Sequence, residues 1–488
     1  MINFSAPYIK MQITNQAGKK LVFTDQDNGG DIISFTFDKQ IAPYGNFNII
    51  IPDKRKSVES NEYIDYRLLI RAFSKVEIWI YSNTNSDEFF YTVGIILDVG
   101  KSMDFSKGQA KSLWAIRGAE LGIIFQNTQI WWDLSQMNTS TFGRQSPVSR
   151  GRGIANPQII KSRGIQDVIY AISKEWLEKV YDYNNFQFSD GSKLADLLVI
   201  DKKNFGEDLY VSEVLSLANI WNYSGDLWGL FNSLLSLPFH EIYGTAGGGG
   251  RDKVITLGKN QSVNINDRKY YLILRPTPYD NFKLADESLS LISINDVTHI
   301  KIDDSVISRK QLMTSGKQQF SMYSLLYGGS NIPANFARTL LQPIYDKEAL
   351  QRYGYRPMEK NLNALDITKN RKTLESNKGT LLEKMKNLQQ KMYNWYKYQD
   401  RFLEGFFEIK GNVNIQEGYF LDYTYDENNS IEDESEKGTY YIQGFTHNYN
   451  YGESFSTTVQ VVRGTPDDAN WFLDNESQDL NISNSVGL

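Results

Sequence analysis

Phe90-Tyr91-Thr92-Val93-Gly94-Ile95, followed after a turn by Leu113-Trp114-Ala115-Ile116-Arg117-Gly118, has a counterpart far downstream. There Tyr440-Tyr441-Ile442-Gln443-Gly444-Phe445 is followed by Val459-Gln460-Val461-Val462-Arg463-Gly464. In each, an aromatic pair leads to Gly and an apolar residue, and a returning strand of alternating character runs to Arg-Gly. Alternation over such runs predicts β-hairpins. Gly relieves crowding where a strand bends, and Arg-Gly is expected to end the ladder. Any two aromatic hairpins can be aligned by composition; here the order of features also matches, which favours one hairpin type used twice. Gly94, Arg117, Gly118, Gly444, Arg463 and Gly464 are the residues expected to shape it.

Outward from the first hairpin, residues 1–138 read as β. Met11-Gln12-Ile13-Thr14, Ile32 to Phe37, Phe47 to Ile51 and Lys75 to Ile80 are β-branched or aromatic runs. Asp27-Asn28-Gly29-Gly30, Pro43-Tyr44-Gly45 and Pro52-Asp53 separate them as turns. Short strands at this spacing predict a barrel or a sandwich. Residues 139–163, rich in Ser, Gly and Arg, read as a linker.

Residues 164–285 read as a helical domain with a β-hairpin. Ile165, Val168, Ile169, Ile172, Trp176 and Val180 fall three and four apart and draw one helix face. Leu209 to Ile220 and a capped Asp226 to Leu237 are expected as further helices. Lys253 to Leu257 is expected to pair with Tyr270 to Leu274, a strand ending in Arg275-Pro276-Thr277-Pro278. A second β region, 286–464, starts near Ile292 and closes with a block from Phe407 to Arg463. A helical insertion at about 335–406 interrupts it, its long helix reaching from Asp366 towards Phe407. Residues 465–488 form an acidic tail, expected to dock on a neighbour. The fold class is α+β, mainly β.

A chain of 488 residues exceeds what one core normally organises, so two to four domains are expected. Aromatics at 13% suit strands and interfaces. The absence of cysteine removes disulfides, thiolate metal sites and cysteine nucleophiles. His240, His299 and His447 stand far apart, which argues against a histidine-rich metal site. Met1-Ile2-Asn3-Phe4 opens without a secretory pattern. No stretch approaches the length of a membrane span, so no membrane insertion is expected. A formal charge of −6 gives no global field for nucleic acid.

Motifs that carry chemistry fail on inspection. His240-Glu241 resembles the start of a zinc-protease helix, but position 244 is Gly where the second His belongs. Gly247 to Gly250 lacks the Gly-Lys-Ser/Thr step and the following helix of a phosphate loop. The acidic run that includes Glu432, Asp433 and Glu434 lacks the ordered spacing and sixth-position Gly of a calcium loop. It reads as a solvated hairpin loop or a partner-facing one. Leu381, Met385, Leu388, Met392, Trp395 and Phe402 trace a heptad-like seam that either packs on its own domain or meets a partner. No carboxylate pair stands out among 58 acidic residues, and no Gly-x-Ser-x-Gly elbow occurs. The expectation is a protein without enzymatic site, cofactor or metal.

The arrangement resembles the baseplate hub family of contractile phage tails, related to the late-control protein and to the hub part of type VI spike proteins. The resemblance rests on the first β-domain ending in Gly94 to Gly118, and on Asn219-Ile220-Trp221 through Phe239-His240-Glu241-Ile242-Tyr243 to Tyr271-Leu272-Ile273-Leu274-Arg275-Pro276-Thr277-Pro278-Tyr279. It rests also on Ile292 to Ile302 with the terminal Tyr440 to Gly464 hairpin. It implies two tandem tube-like β-barrel domains with Arg275, Pro276 and Pro278 linking the helical part to the second. It further implies a homotrimer whose duplicated domains form a pseudo-sixfold ring between a hexameric tail tube protein and a central spike or tail-tip protein. Baseplate wedge or adaptor proteins and a tape measure protein complete the implied partners. DNA would pass the lumen without specific binding, for which neutral or acidic walls suit. The implied place is the distal tail of a virion assembled in the host cytoplasm. The rival reading is a tail-associated lysin or host-polymer-binding adhesin, which the short stretch after Gly464 leaves little room for.

Overall fold

The computed structural model describes residues 7–15, 17–25, 31–57, 62–81, 88–104, 111–131, 165–206, 224–235, 238–278, 292–327, 342–362, 386–424, 436–451 and 454–466. The expected linker at 139–163, the expected helix at 209–220 and all of the tail after Pro466 lie outside the described residues.

The protein is mainly β. Strands of the first region are β1 (Tyr8–Thr14), β2 (Lys20–Thr24), β3 (Ser34–Gln40), β4 (Asn46–Pro52), β5 (Lys75–Tyr81), β6 (Phe89–Asp104) and β7 (Lys111–Glu120). Period-two patterning drives them: β1, β3 and β4 each bury every second residue, among them Ile9, Met11, Phe35, Phe37, Ile49 and Ile51. They pair antiparallel in the order β3-β4-β7-β6-β5-β1-β2.

In the second region, Ile307–Thr314, Leu403–Lys410, Ser454–Pro466 and Gly438–Asn450 pair antiparallel in that order. Gly438–Asn450 then pairs with β3, from Gly444 opposite Gln40 to Asn450 opposite Ser34. The two regions are therefore one sheet of 13 strands, including a branch through Phe420–Tyr423 and His299–Ile302. The resemblance implies two tandem barrels; among the described residues the strands form an open sheet with no closed barrel. The cause lies at the outer edge of β3. That edge pairs with the terminal hairpin, which carries the sheet on into the second region. One apolar core accordingly spans both regions, from Ile9 and Phe35 to Phe445 and Val461, and a second gathers the helices around Ile169, Phe231 and Leu272.

Both hairpins are present, but their registers differ. Gly94 faces Glu120, past the Arg117-Gly118 step, whereas Gly444 faces Gln460, short of Arg463-Gly464. Nor does Arg-Gly end either ladder: β7 runs on to Glu120, and the last strand runs to Pro466. The first hairpin instead absorbs one irregularity, between Ile96 and Asp98, and the second two, between Thr439 and Tyr441 and between Ile442 and Gly444.

Between the regions stand the helices Ile165–Tyr181 and Leu227–Leu234. The second is capped by Asp226, whose carboxylate accepts from Gly229 N at 2.6 Å. After Pro238 comes a strand, His240–Ala246, buried on both faces. Burial on both faces leaves no period-two alternation by which to read it as a strand. This strand pairs with Tyr270–Pro276, which displaces the expected partner Lys253 to Leu257. Val254–Gly258 folds back on Gln261–Asn264 instead, through a tight turn in which Asn260 takes φ 59°.

Of the expected long helix, residues 363–385 lie outside the described residues, and so do 335–341 of the insertion. Met322–Tyr327 lies between Ile344–Tyr345 and Pro357–Leu362 in a small sheet, beside the helix Lys347–Tyr353. A second helix covers 386–396, and strand is resumed at Leu403, not at Phe407.

Candidate interface: one strand anchored to both hairpins

Tyr270–Pro276 is buried along its whole length. Enclosed on both faces, its polar groups must be satisfied inside the protein. The Tyr271 hydroxyl donates to Asp267 Oδ2 at 2.7 Å; Tyr270 and Arg275, one near each end, are each tied to a different hairpin.

At the first end, the Tyr270 hydroxyl lies 2.7 Å from Pro43 O and 3.0 Å from Glu120 Oε2. Lys39 Nζ donates to the same hydroxyl at 2.9 Å and is ion-paired with Glu120. Glu120 is the β7 residue opposite Gly94, and it also accepts from Gly45 N at 2.7 Å and Thr92 Oγ1 at 2.6 Å. Lys39 and Glu120 are both only 2% exposed. Burial, and then the Glu120 carboxylate, push the Tyr270 phenol well up, so its proton is retained.

At the other end, Arg275 is 1% exposed and donates from every edge of its guanidinium. Nε reaches Glu241 Oε1 at 2.7 Å, Nη1 reaches Thr256 O at 3.1 Å, and Nη2 reaches Gly418 O at 2.8 Å. Tyr441, on the terminal hairpin, donates to Glu241 at 2.6 Å and lies 3.3 Å from Nη2. Gly418 has φ 79°, and a Cβ there would stand 2.5 Å from Arg275 Nη2, so this position favours glycine on both counts. Midway, buried Lys253 donates to Thr245 Oγ1 and Gln416 Oε1, both at 2.6 Å. Burial pushes its ammonium down, with Glu417 at 3.9 Å opposing.

The remaining residues singled out in the sequence divide. An added Cβ at Gly94 would overlap Ala119 O, at Gly118 and Gly464 the rings of Phe47 and Tyr440, and at Gly444 would press on Lys39 O. Pro276 and Pro278 are buried, with Thr277 N donating to Phe239 O at 2.9 Å between them. Arg117 is exposed opposite Asp98. Arg463 takes φ 53°, and its guanidinium stacks on Tyr441 at 4.5 Å and on Trp395 at 5.5 Å. Met392, Trp395 and Phe402, weighed as partner contacts, are buried in the chain's own core, Trp395 edge-on to Phe239 at 5.5 Å. Their seam faces inward because Arg463 and Phe239 already supply it with a partner. Leu388 is half-buried, while Leu381, Met385, Glu432, Asp433 and Glu434 lie outside the described residues.

Sequence reading passed over Lys39, Glu120, Glu241, Tyr270 and Tyr441. One signal was available. Phe35, Phe37 and Lys39 share the inward face of β3 by period two, and a lysine in that series requires a buried anion. The zinc and phosphate motifs stay empty of chemistry here. His240 is buried, which pushes its imidazole down to about 3, and Glu241 is committed to Arg275 and Tyr441. The N–H groups of Gly247, Gly248, Gly249 and Gly250 donate to backbone carbonyls of Lys269, Ile265, Asp267 and Asn266. Among the described residues, no group of His, Asp and Glu could hold a metal ion, and no helix is long and apolar enough to cross a membrane.

No family model and no curated protein matches the sequence. Among solved structures, the chain is similar to a tail protein from Neisseria meningitidis MC58, at 11% identity and a TM-score of 0.47, over 96% of this chain and 99% of that one. It is similar to the 43 kDa tail protein of prophage MuSo2 from Shewanella oneidensis, at 9% identity and a TM-score of 0.46, over 94% of this chain and 98% of that one. It is also similar to an E. coli component of the type VI secretion system, at 9% identity and a TM-score of 0.39, over 89% of this chain and 74% of that one. These neighbours are two tail proteins, one of them from a prophage, and a component of the type VI secretion system.

Proposed function

We propose that the chain is the structural hub of a phage-type tail, with no catalytic role. Three copies close into a ring in which the two β lobes of each alternate, giving six similar positions from three chains. That geometry lets a trimer seat a hexameric tail tube on one face and a trimeric spike or tail-tip protein on the other. Wedge or adaptor proteins meet its outside, a tape measure protein and then DNA pass its lumen, and the assembly sits at the distal end of a virion tail. The observation that carries this reading is the buried strand Tyr270–Pro276, which holds a hairpin from each lobe through Glu120 and Tyr441. An adaptor that transmits load between two rings needs its lobes fixed to each other, and buried polar ties specify one arrangement of them.

The test is the mass of the purified protein in solution, alone and with tail tube protein. A species of three times 56.1 kDa, seen as a ring by electron microscopy, is expected. A monomer that neither closes into a ring nor binds tube protein would overturn the proposal.

A further inference from the structure

The insertion in the second β region carries a concavity separate from the strand just described. It opens between the Lys347–Tyr353 helix and the segment 393–401 and has a volume of about 450 Å³. Six tyrosines line it, together with Phe320 and a set of charged side chains of both signs. Its floor is fixed: Tyr323 meets Tyr393 edge-on at 5.5 Å, and Phe320 meets Tyr396 edge-on at 5.3 Å. Its rim is open, with Tyr345 55% and Tyr353 39% exposed.

The charges in the wall decide what could enter. Lys397 and Arg401 stand over the Tyr398 ring at 4.9 and 5.1 Å. Asp346, Glu348 and Asp400 share the same wall, and Tyr353 donates to Asp400 Oδ2 at 3.2 Å. Lys347 and Arg352 add to the cations, so a phosphate or nucleic-acid ligand would meet four cations interleaved with three carboxylates, and those carboxylates oppose an anion. What fits is an uncharged ligand with many hydroxyls and flat C–H faces. Tyrosine rings supply the flat surface with a polar edge, and carboxylate, guanidinium and amide groups supply paired acceptors and donors for neighbouring hydroxyls. The volume lies within the roughly 300–1,000 Å³ usual for small-ligand sites.

We propose that this pocket binds a short stretch of neutral saccharide, with Tyr345 and Tyr353 as stacking faces and Asp400 and Arg401 as hydroxyl partners. The proposal stands independently of the hub reading, since a saccharide site serves a tail protein or an adhesin equally.

The test uses the full chain on an array of bacterial surface and wall oligosaccharides, followed by calorimetry with the strongest neutral binder. Binding is expected, weakened at least tenfold by Tyr345→Ala and by Asp400→Asn. Tyr345 lies on the exposed rim, so its loss leaves the fold in place, and an unchanged thermal midpoint confirms that. No neutral oligosaccharide bound by the parent chain, or binding that neither variant weakens, would overturn the proposal. So would a site that takes only anionic glycans, or one that captures a tail protein through Tyr345 while binding no sugar.

Discussion

The β6–β7 hairpin and the terminal hairpin grip the same strand with the same three kinds of group, dealt out differently. In the first triad the hairpin supplies the carboxylate, Glu120, the middle strand the phenol, Tyr270, and β3 the cation, Lys39. In the second the hairpin supplies the phenol, Tyr441, the middle strand the cation, Arg275, and the strand beside it the carboxylate, Glu241. Buried tyrosine, carboxylate and cation satisfy one another whichever element carries which. The two hairpins therefore share a chemistry and not a set of positions, and a comparison of them by sequence passes over it.

The largest expected effect breaks the second triad. Arg275→Met removes the donor to Glu241, Thr256 and Gly418 and leaves a buried carboxylate without its cation. A loss of about 3–5 kcal/mol in unfolding free energy is expected, measured by urea denaturation. Glu120→Gln treats the first triad more gently: the amide oxygen can still accept from Gly45 N while the NH2 turns to Thr92, whose hydroxyl can accept, and Lys39 loses its counter-charge. About 1.5–3 kcal/mol is expected there. Should Glu120→Gln prove the costlier, the first triad and not the second would be the principal tie.

Gly418→Ala sharpens the comparison by acting on Arg275 from outside the triad. The left-handed φ and the approach to Nη2 together predict a loss of about 1–3 kcal/mol. Combined with Arg275→Met the two losses should fall short of additive, because the crowding disappears with the guanidinium while the backbone strain remains. Full additivity would mean that Gly418 serves its turn alone.

How much of this was legible beforehand follows from what each signal encodes. The strands of the first region were readable because their apolar residues alternate over a half-buried sheet, as Ile9, Met11 and Ile13 do. The strand His240–Ala246 was not, since burial on both faces erases the period. Sheet closure was illegible for a different reason: β3 and Gly438–Asn450 are about 400 residues apart, and nothing local in either states which edge it will take. Of the interface, Arg275 entered through the Arg-Pro-Thr-Pro stretch that carries the resemblance, whereas Tyr270 and Tyr441 looked like ordinary strand aromatics. The tyrosine-lined pocket draws on segments around 320, 346 and 398, none of which carries a recognisable motif by itself.

The smallest expected effect distinguishes the second region by pH. His299 Nδ1 lies 2.8 Å from Asp422 Oδ1, and Nε2 lies 2.9 Å from Ile294 O. The hydrogen bond to Asp422 raises the imidazole above its usual 6.5, against the opposing pull of burial. Burial would raise the Asp422 carboxyl, but the hydrogen bonds from His299 and Thr439 outweigh it and hold the group below 3.8. The histidine's contribution is thus fully present below 6.5 and is lost as pH rises through its raised folded value. The aspartate's is present above 3.8 and is lost as pH falls through its depressed one. His240 and His447, pushed down to about 3 by burial, work in the opposite sense and lose their contribution as pH falls below 6.5. Above that pH they add no further slope, which isolates His299. His299→Asn should therefore flatten the decline in stability on the alkaline side of 6.5, by no more than about 1 kcal/mol for a pair this exposed to solvent. Denaturation midpoints of parent and variant across that range decide it, and parallel curves would show that the pair carries no pH-dependent stability.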